Sequence, residues 1–201
     1  MLSLIMDTSN QYLLVSLYED GKCLETIQEL GSKKQSENAI PYLSSLLEKY
    51  NKKLLDVNEM IITKGPGSYT GERVAMTIAK TLSVISPLSI KAISSLASYA
   101  GMDSCISVID ARSKKIFVCV YENGKPLMDE VLMDIADFAK LKEQYPDFKV
   151  VGQCEVVFEE VCERDLAKNL YELSKLCEAC DNVDALVPCY LKDVEAKKIC
   201  L

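Results

Sequence analysis

The sequence predicts an α/β protein made of two related halves, each a small mixed β-sheet with flanking helices. Three observations predict it. Residues 5–22 (IMDTSNQYLLVSLYEDGK) and 108–125 (VIDARSKKIFVCVYENGK) align without a gap at an offset of 103, with identity at Asp7/Asp110, Val15/Val118, Tyr18/Tyr121, Glu19/Glu122, Gly21/Gly124 and Lys22/Lys125. Each copy runs into Asp-Gly or Asn-Gly, the pairs that supply positive φ at both centres of a tight hairpin turn. Between the β-like runs lie apolar residues at helical spacing. Turn chemistry alone accounts for the Asp/Asn-Gly pairs, but not for equal strand lengths or a shared Asp, so duplication is the better reading than two unrelated hairpins.

The elements follow in order. Met1 to Met6 reads as a buried strand broken by Asp7, and without a basic flank it is not a signal peptide. A return strand and the Asp20-Gly21 turn complete the first hairpin. Ile40, Leu43, Leu47 and Tyr50 then form one apolar stripe at helical period, with Pro41 either at the start of that helix or kinking it. Met60 to Thr63 reads as a short strand, GPGSYTG (residues 65–71) as a turn, and Glu72 to Ile85 as a helix carrying Val74, Ile78, Leu82 and Ile85. Ser86-Pro87 and Gly101 are the punctuation, which divides the chain into lobes at 1–100 and 101–201. After the second hairpin, Asp134–Tyr145 reads as a helix, Phe148–Val151 as a strand, residues 155–180 as helical and charged, and Val187–Leu191 as extended.

Composition limits the function. Half of the 201 residues are apolar, enough for a proper core. A net charge of −7, with no dense basic block, argues against a surface that grips nucleic acid by itself. The chain has no histidine, which removes Ser-His-Asp triads, Cys-His dyads and His-containing zinc sites. Nine cysteines, an odd number set in apolar stretches, read as reduced core residues of a cytosolic protein. Cys177 and Cys180 form a CxxC without a second pair, and core packing on a helix is the better reading for them than metal or redox work. No apolar run approaches the ~20 residues of a membrane span, so a soluble cytoplasmic protein without a membrane partner is expected.

The glycine turn raises the question of a phosphate site. A Walker A loop needs Gly, four residues, then Gly-Lys-Ser/Thr, and neither Gly65 nor Gly67 starts that register. Gly65, Gly67 and Gly71 give G-x-G-x-x-x-G, one residue too long for a dinucleotide loop. The turn-and-cap reading remains: Pro66 fixes φ, the glycines allow positive φ, Ser68 or Thr70 caps the helix, and Glu72 complements its dipole. An anion site of no known fingerprint at the same helix end stays open.

The repeated aspartates offer the alternative of an ATP-dependent kinase or ATPase, with Asp7 and Asp110 holding a metal-nucleotide between the halves. Such loops need a Gly beside the Asp, and Asp7-Thr8-Ser9 and Asp110-Ala111-Arg112 have none. The helix after the glycine turn carries Ala75, Ala79 and Ser83 at i, i+4 and i+8. Small side chains in a row suit either close packing on the domain's own sheet or the approach of a partner helix.

Taken together, Asp7-Thr8-Ser9, GPGSYTG with Arg73, Ser94-Ser95-Leu96, Ile109-Asp-Ala-Arg112 and the ending Pro188-Cys-Tyr-Leu-Lys192 resemble the TsaB (YeaZ) family, in order and over nearly the whole chain. The resemblance implies a duplicated ribonuclease H-like, actin-like (ASKHA) fold. It implies a non-catalytic scaffold for a TsaD-like subunit in tRNA threonylcarbamoyladenosine synthesis, with a TsaE-like ATPase joining and tRNA reached only through the complex. No cofactor, metal or catalytic residue is expected of this chain. The docking surface would be the two first-half helices, through Ile40, Leu43, Leu47, Tyr50, Ala75, Met76, Ala79 and Ser83, and the same surface would form a homodimer when the chain is alone. Gly65, Pro66, Gly67 and Gly71 would form a structural turn. Gln35-Ser36-Glu37 departs from the His-Ser-Glu of many members, and the short segment before Val187 reads as a trimmed second lobe.

Overall fold

The computed structural model describes residues 1–30 and 35–191. The first half runs β1 (Leu2–Asp7), β2 (Tyr12–Glu19), β3 (Lys22–Leu30), α1 (Gln35–Lys49), β4 (Glu59–Thr63), α2 (Tyr69–Ile85), β5 (Ser89–Ile93) and α3 (Ser95–Ala100). The second runs β6 (Cys105–Arg112), β7 (Lys115–Glu122), β8 (Lys125–Pro126), β9 (Val131–Asp134), α4 (Phe138–Gln144), β10 (Lys149–Gly152) and α5 (Leu166–Ser174).

The first sheet has the order β3-β2-β1-β4-β5, and the second β10-β6-β7-β8, with β9 also on β7. In both, the leading strand pairs antiparallel with the next strand and parallel with the strand after the helix. The hairpin turns form as their residues dictate, with positive φ at Asp20, Gly21, Asn123 and Gly124. β2 and β7 coincide at the offset of 103, but the pairing slips. Asp7 faces Leu14, whereas Asp110 faces Ile116 rather than Phe117, the repeat counterpart of Leu14. One residue of slip turns a side chain to the other face of a sheet. Leu14 accordingly belongs to the core between the halves and Ile116 to the outer core of the second half.

Among the described residues, three apolar clusters hold the fold. Leu4, Met6, Leu43, Leu46, Ile62 and Ala79 represent the one under α1 and α2. Ile106, Val118, Phe138 and Leu141 represent the one under α4. The third joins the halves, with Ile5, Leu14 and Tyr18 meeting Ile109, Phe117 and Leu170. Here the helices cross over: α3 packs on β6, β7 and β10, while α5 packs on β1, β2, β4 and β5. Burial of each such Leu or Ile is worth about 1.5–3 kcal/mol, so each half's sheet is completed by the other half's helix.

Several elements differ from expectation. β5 and α3 form where only punctuation was read; Ser94 caps α3, its side chain accepting from Leu96 and Ala97 amides. The helix expected over Asp134–Tyr145 opens as a 3-10 turn at Ile135–Asp137 and continues as α4 from Phe138, because Asp134 belongs to the strand that lies on β7. The long helix expected over residues 155–180 is only α5. A 3-10 turn at Cys154–Val157 ends on Phe158 in the left-handed region, and Asp165 caps the helix that starts after it. Val187–Leu191 is not a regular strand; it is tied down by the Cys189 amide donating to the Lys64 carbonyl at 2.7 Å. Pro41 lies inside α1.

Candidate functional site

The glycine turn lies directly on the loop that follows β1. Thr8 Oγ1 donates to the Gly71 carbonyl at 2.6 Å and accepts from the Ala75 amide at 3.2 Å. The Ser68 amide donates to the Ser9 carbonyl at 2.8 Å. A Cβ on Gly71 would stand 2.8 Å from the Thr8 carbonyl carbon and overlap the carbonyl oxygen, and one on Gly67 would overlap the Ser9 carbonyl oxygen. These glycines are needed because backbone crosses backbone. Ser68 caps α2, accepting the Gly71 amide at its side chain and the Glu72 amide at its carbonyl. The Gly65 carbonyl accepts from the Ser95 amide at 2.9 Å, and the Gly65–Pro66 peptide is cis. These groups of the turn are engaged within the chain, as a footing for α2.

Asp7 is fully buried. Its carboxylate accepts from the Ser9 amide and Ser9 Oγ at 2.8 Å each, Asn10 Nδ2 at 2.7 Å and Thr63 Oγ1 at 2.6 Å. Ser9 Oγ also meets Ser95 Oγ at 2.7 Å. This network pins the ends of β1, β4 and the start of α3 together. Asp110 is half-buried and holds the Arg112 amide and guanidinium at 2.8 and 3.2 Å. With the slipped register, the two aspartates are not a matched pair facing one another.

Between the halves lies a cleft of about 650 Å³, where Asn10, Glu72, Asp110, Phe117 and Tyr190 are among the lining residues. Glu72, expected to complement the helix dipole, stands in the first turn of α2. It is 2% exposed, beneath the turn, with its Oε1 2.5 Å from where a Cβ on Gly65 would be. Burial pushes its carboxyl up to about 7, against the lowering effects of a Gly67 amide bond and the Arg73 charge. The chain segment before Leu191 closes one side of the cleft. Arg73 Nε donates to Tyr190 Oη at 2.9 Å, and the guanidinium lies 3.9 Å from the Tyr69 ring centre.

On the opposite side of Tyr69, α1 and α2 lie side by side. A groove of about 440 Å³ opens between them, lined by Ile40, Tyr69, Arg73, Val74, Thr77 and Ile78 among others. Of the residues expected at a docking surface, Leu43, Leu47, Ala75, Met76 and Ala79 are buried in the first half's own core. Ile40 is 45% exposed, while Tyr50 and Ser83 are half-buried. The small-residue row Ala75 and Ala79 is what α2 turns to its own sheet, whereas Val74 and Ile78, half-buried on the same core, line the groove with exposed Ile40 and Thr77, and Val84 and Ile85 are exposed beyond them. Cys177 and Cys180 are half-buried; Cys180 packs on the first-half core. Among the described residues, no group of three His, Cys, Asp or Glu is arranged to hold a metal ion, and no helix is long and apolar enough to cross a membrane.

Two mixed sheets that share an antiparallel pair flanked by a parallel strand, joined by crossing helices over a central cleft, have the duplicated ribonuclease H-like, actin-like fold. A solved YeaZ structure from Pseudomonas aeruginosa shares this fold, at a TM-score of 0.78 and 21% identity, covering 94% of this chain and 99% of that one. A family model described as TsaD, tRNA N6-adenosine threonylcarbamoyltransferase, matches residues 27–158. The tRNA threonylcarbamoyladenosine biosynthesis protein TsaB of Bacillus subtilis is 33% identical over 96% of this chain and 95% of its own length. The protein of the same name from Escherichia coli is 28% identical over 60% of this chain and 56% of its own. The chain belongs to the TsaB (YeaZ) family.

Proposed function

We propose that this chain works in tRNA threonylcarbamoyladenosine synthesis as a non-catalytic subunit that binds and supports a TsaD-like threonylcarbamoyl transferase. The observation that carries the reading is the division of labour at α2. Its first turn is spent on internal bonds to the β1 loop, while its outward side, with α1, leaves an apolar groove open. The buried, fully bonded Asp7 supports a structural role at the position where the kinase alternative needs a metal-binding carboxylate. A TsaE-like ATPase joins this assembly, and tRNA reaches the chain only through it, in keeping with the acidic balance. Alone, the chain pairs with a second copy through the same groove.

Co-purification tests the reading. Ile40→Glu places a charge at the exposed lip of the groove without opening the core. It abolishes capture of the TsaD-like subunit while leaving the unfolding transition in place. Ala79→Glu is the wrong variant for this purpose, because Ala79 is wholly buried and the charge would unfold the half. Undiminished capture by Ile40→Glu and by Ile78→Glu would sink the proposal.

A further inference from the structure

Of the described residues that line the groove between α1 and α2, Arg73 alone carries a charge. It is exposed, yet held in place. Its Nε donates to Tyr190 Oη at 2.9 Å, its guanidinium carbon stands 3.9 Å from the centre of the Tyr69 ring, and the two rings are 5.2 Å apart. Through Tyr190 the second half thus reaches the rim of a groove built by the first. With Nε occupied, the two Nη nitrogens remain as an end-on fork, and among the described residues neither meets an acceptor. The chain's other two arginines are answered by carboxylates, Arg112 by Asp110 at 3.2 Å and Arg164 by Asp103 at 2.6 Å. Glu72, next to Arg73 in sequence, is buried beneath the turn instead. We propose that Arg73 is the charged anchor of the docking face and receives one Asp or Glu carboxylate from the TsaD-like subunit, with Tyr190 as its positioning residue. This inference rests on the docking reading and adds the chemistry that the partner's surface must bring.

Docking itself demands the acceptor. Once a partner covers the groove, water leaves the fork, and a guanidinium without a counter-charge is among the costliest groups to enclose. A neutral carbonyl would engage the donors but leave the charge uncompensated. A carboxylate answers both needs, and its two oxygens match the parallel N–H bonds of the fork. A phosphate of tRNA offers similar oxygens, but nucleic acid is held by clustered cations, and this groove sets one cation among hydroxyl and aliphatic residues. Arginine and tyrosine are also the residue types that most often dominate the energy of an interface. Because Tyr69 and Tyr190 hold the guanidinium before docking, little freedom is lost in ordering it.

The test measures affinity for the purified, RNA-free TsaD-like subunit by calorimetry. Arg73 is exposed, so its variants should melt with the natural chain. Arg73→Gln is expected to weaken binding about 30-fold or more, and Arg73→Lys, which keeps the charge without the fork, to recover only part of the loss. Tyr190→Phe, which removes the bond that aims the fork, should cost about threefold to tenfold. The partner's carboxylates are then neutralised one at a time, and one of them should lose its effect in the Arg73→Gln background. If Arg73→Gln binds as tightly as the natural chain while Ile40→Glu abolishes capture, this inference is overturned and the docking reading stands. Full binding by both variants sinks the two together. A partner without any coupled carboxylate, or a loss seen only when tRNA is present, also overturns the inference, because carbonyls or a phosphate would then fill the fork.

Discussion

Gly71 rests on the Thr8 peptide, held by the 2.6 Å bond from Thr8 Oγ1 to the Gly71 carbonyl, with the Thr8 carbonyl carbon 2.8 Å from where a Cβ would stand. Backbone cannot give way as a side-chain tip can. Gly71→Ala must lift the start of α2 from the β1 loop, and a loss of about 2–4 kcal/mol is expected. Urea denaturation measures it. A loss below about 0.5 kcal/mol, typical of surface changes, would show that the crossing is not tight.

Asp7→Asn separates a structural carboxylate from a metal-binding one. The amide nitrogen of Asn would face one of the donors from Ser9, Asn10 or Thr63, so stability should fall by about 2–4 kcal/mol. Calorimetry with ATP and magnesium reads the other possibility. Unchanged stability combined with lost micromolar ATP binding would revive the kinase alternative.

Glu72 predicts a pH dependence. Its folded carboxyl is raised from 4.5 to about 7 by burial, so between these values the folded state holds a proton that the unfolded state has released. The stabilisation is full below about 4.5 and is lost as pH rises through about 7, at up to about 1.4 kcal/mol per pH unit. Glu72→Gln, always neutral, should therefore gain on the natural chain as pH rises from 5 to 8. Parallel stability curves for the two chains would contradict the buried placement.

Tyr18 of β2 and Tyr171 of α5 stack across the halves, with centroids 4.4 Å apart and planes at 12°. Tyr171→Ala should cost about 3 kcal/mol, and a double-mutant cycle with Tyr18→Ala should return a coupling of about 1 kcal/mol. The chain should still melt in one step, because each sheet is covered by the other half's helix. Two separated transitions would mean that the halves are independent.

The sequence carried the hairpins because Asp-Gly and Asn-Gly act locally, and for GPGSYTG it carried only that the spacing fits no phosphate loop. It could not carry the slipped pairing of β6, which depends on a register shift between Asp110 and Arg112 that leaves no mark in composition. That slip is why an aligned Asp110 is not a structural copy of Asp7. The small-residue row of α2 was legible, but spacing does not say what such a row packs on, and Ala75 and Ala79 meet their own core. The groove joins exposed Ile40 and Thr77 to half-buried Val74 and Ile78, and Arg73 and Thr77 interrupt its apolar character. The residues of α5 were read as part of a much longer charged helix, since the left-handed Phe158 gives no warning in a bulky residue type.

Hydrogen exchange on the reconstituted pair tests the central claim most directly. Adding a TsaD-like subunit should slow exchange in α1 and α2, over residues 35–49 and 69–85, with little change in β6 to α5, and Ile40→Glu should remove that protection. Protection centred on the cleft or the second half, with α1 and α2 exchanging as in the free chain, would contradict it.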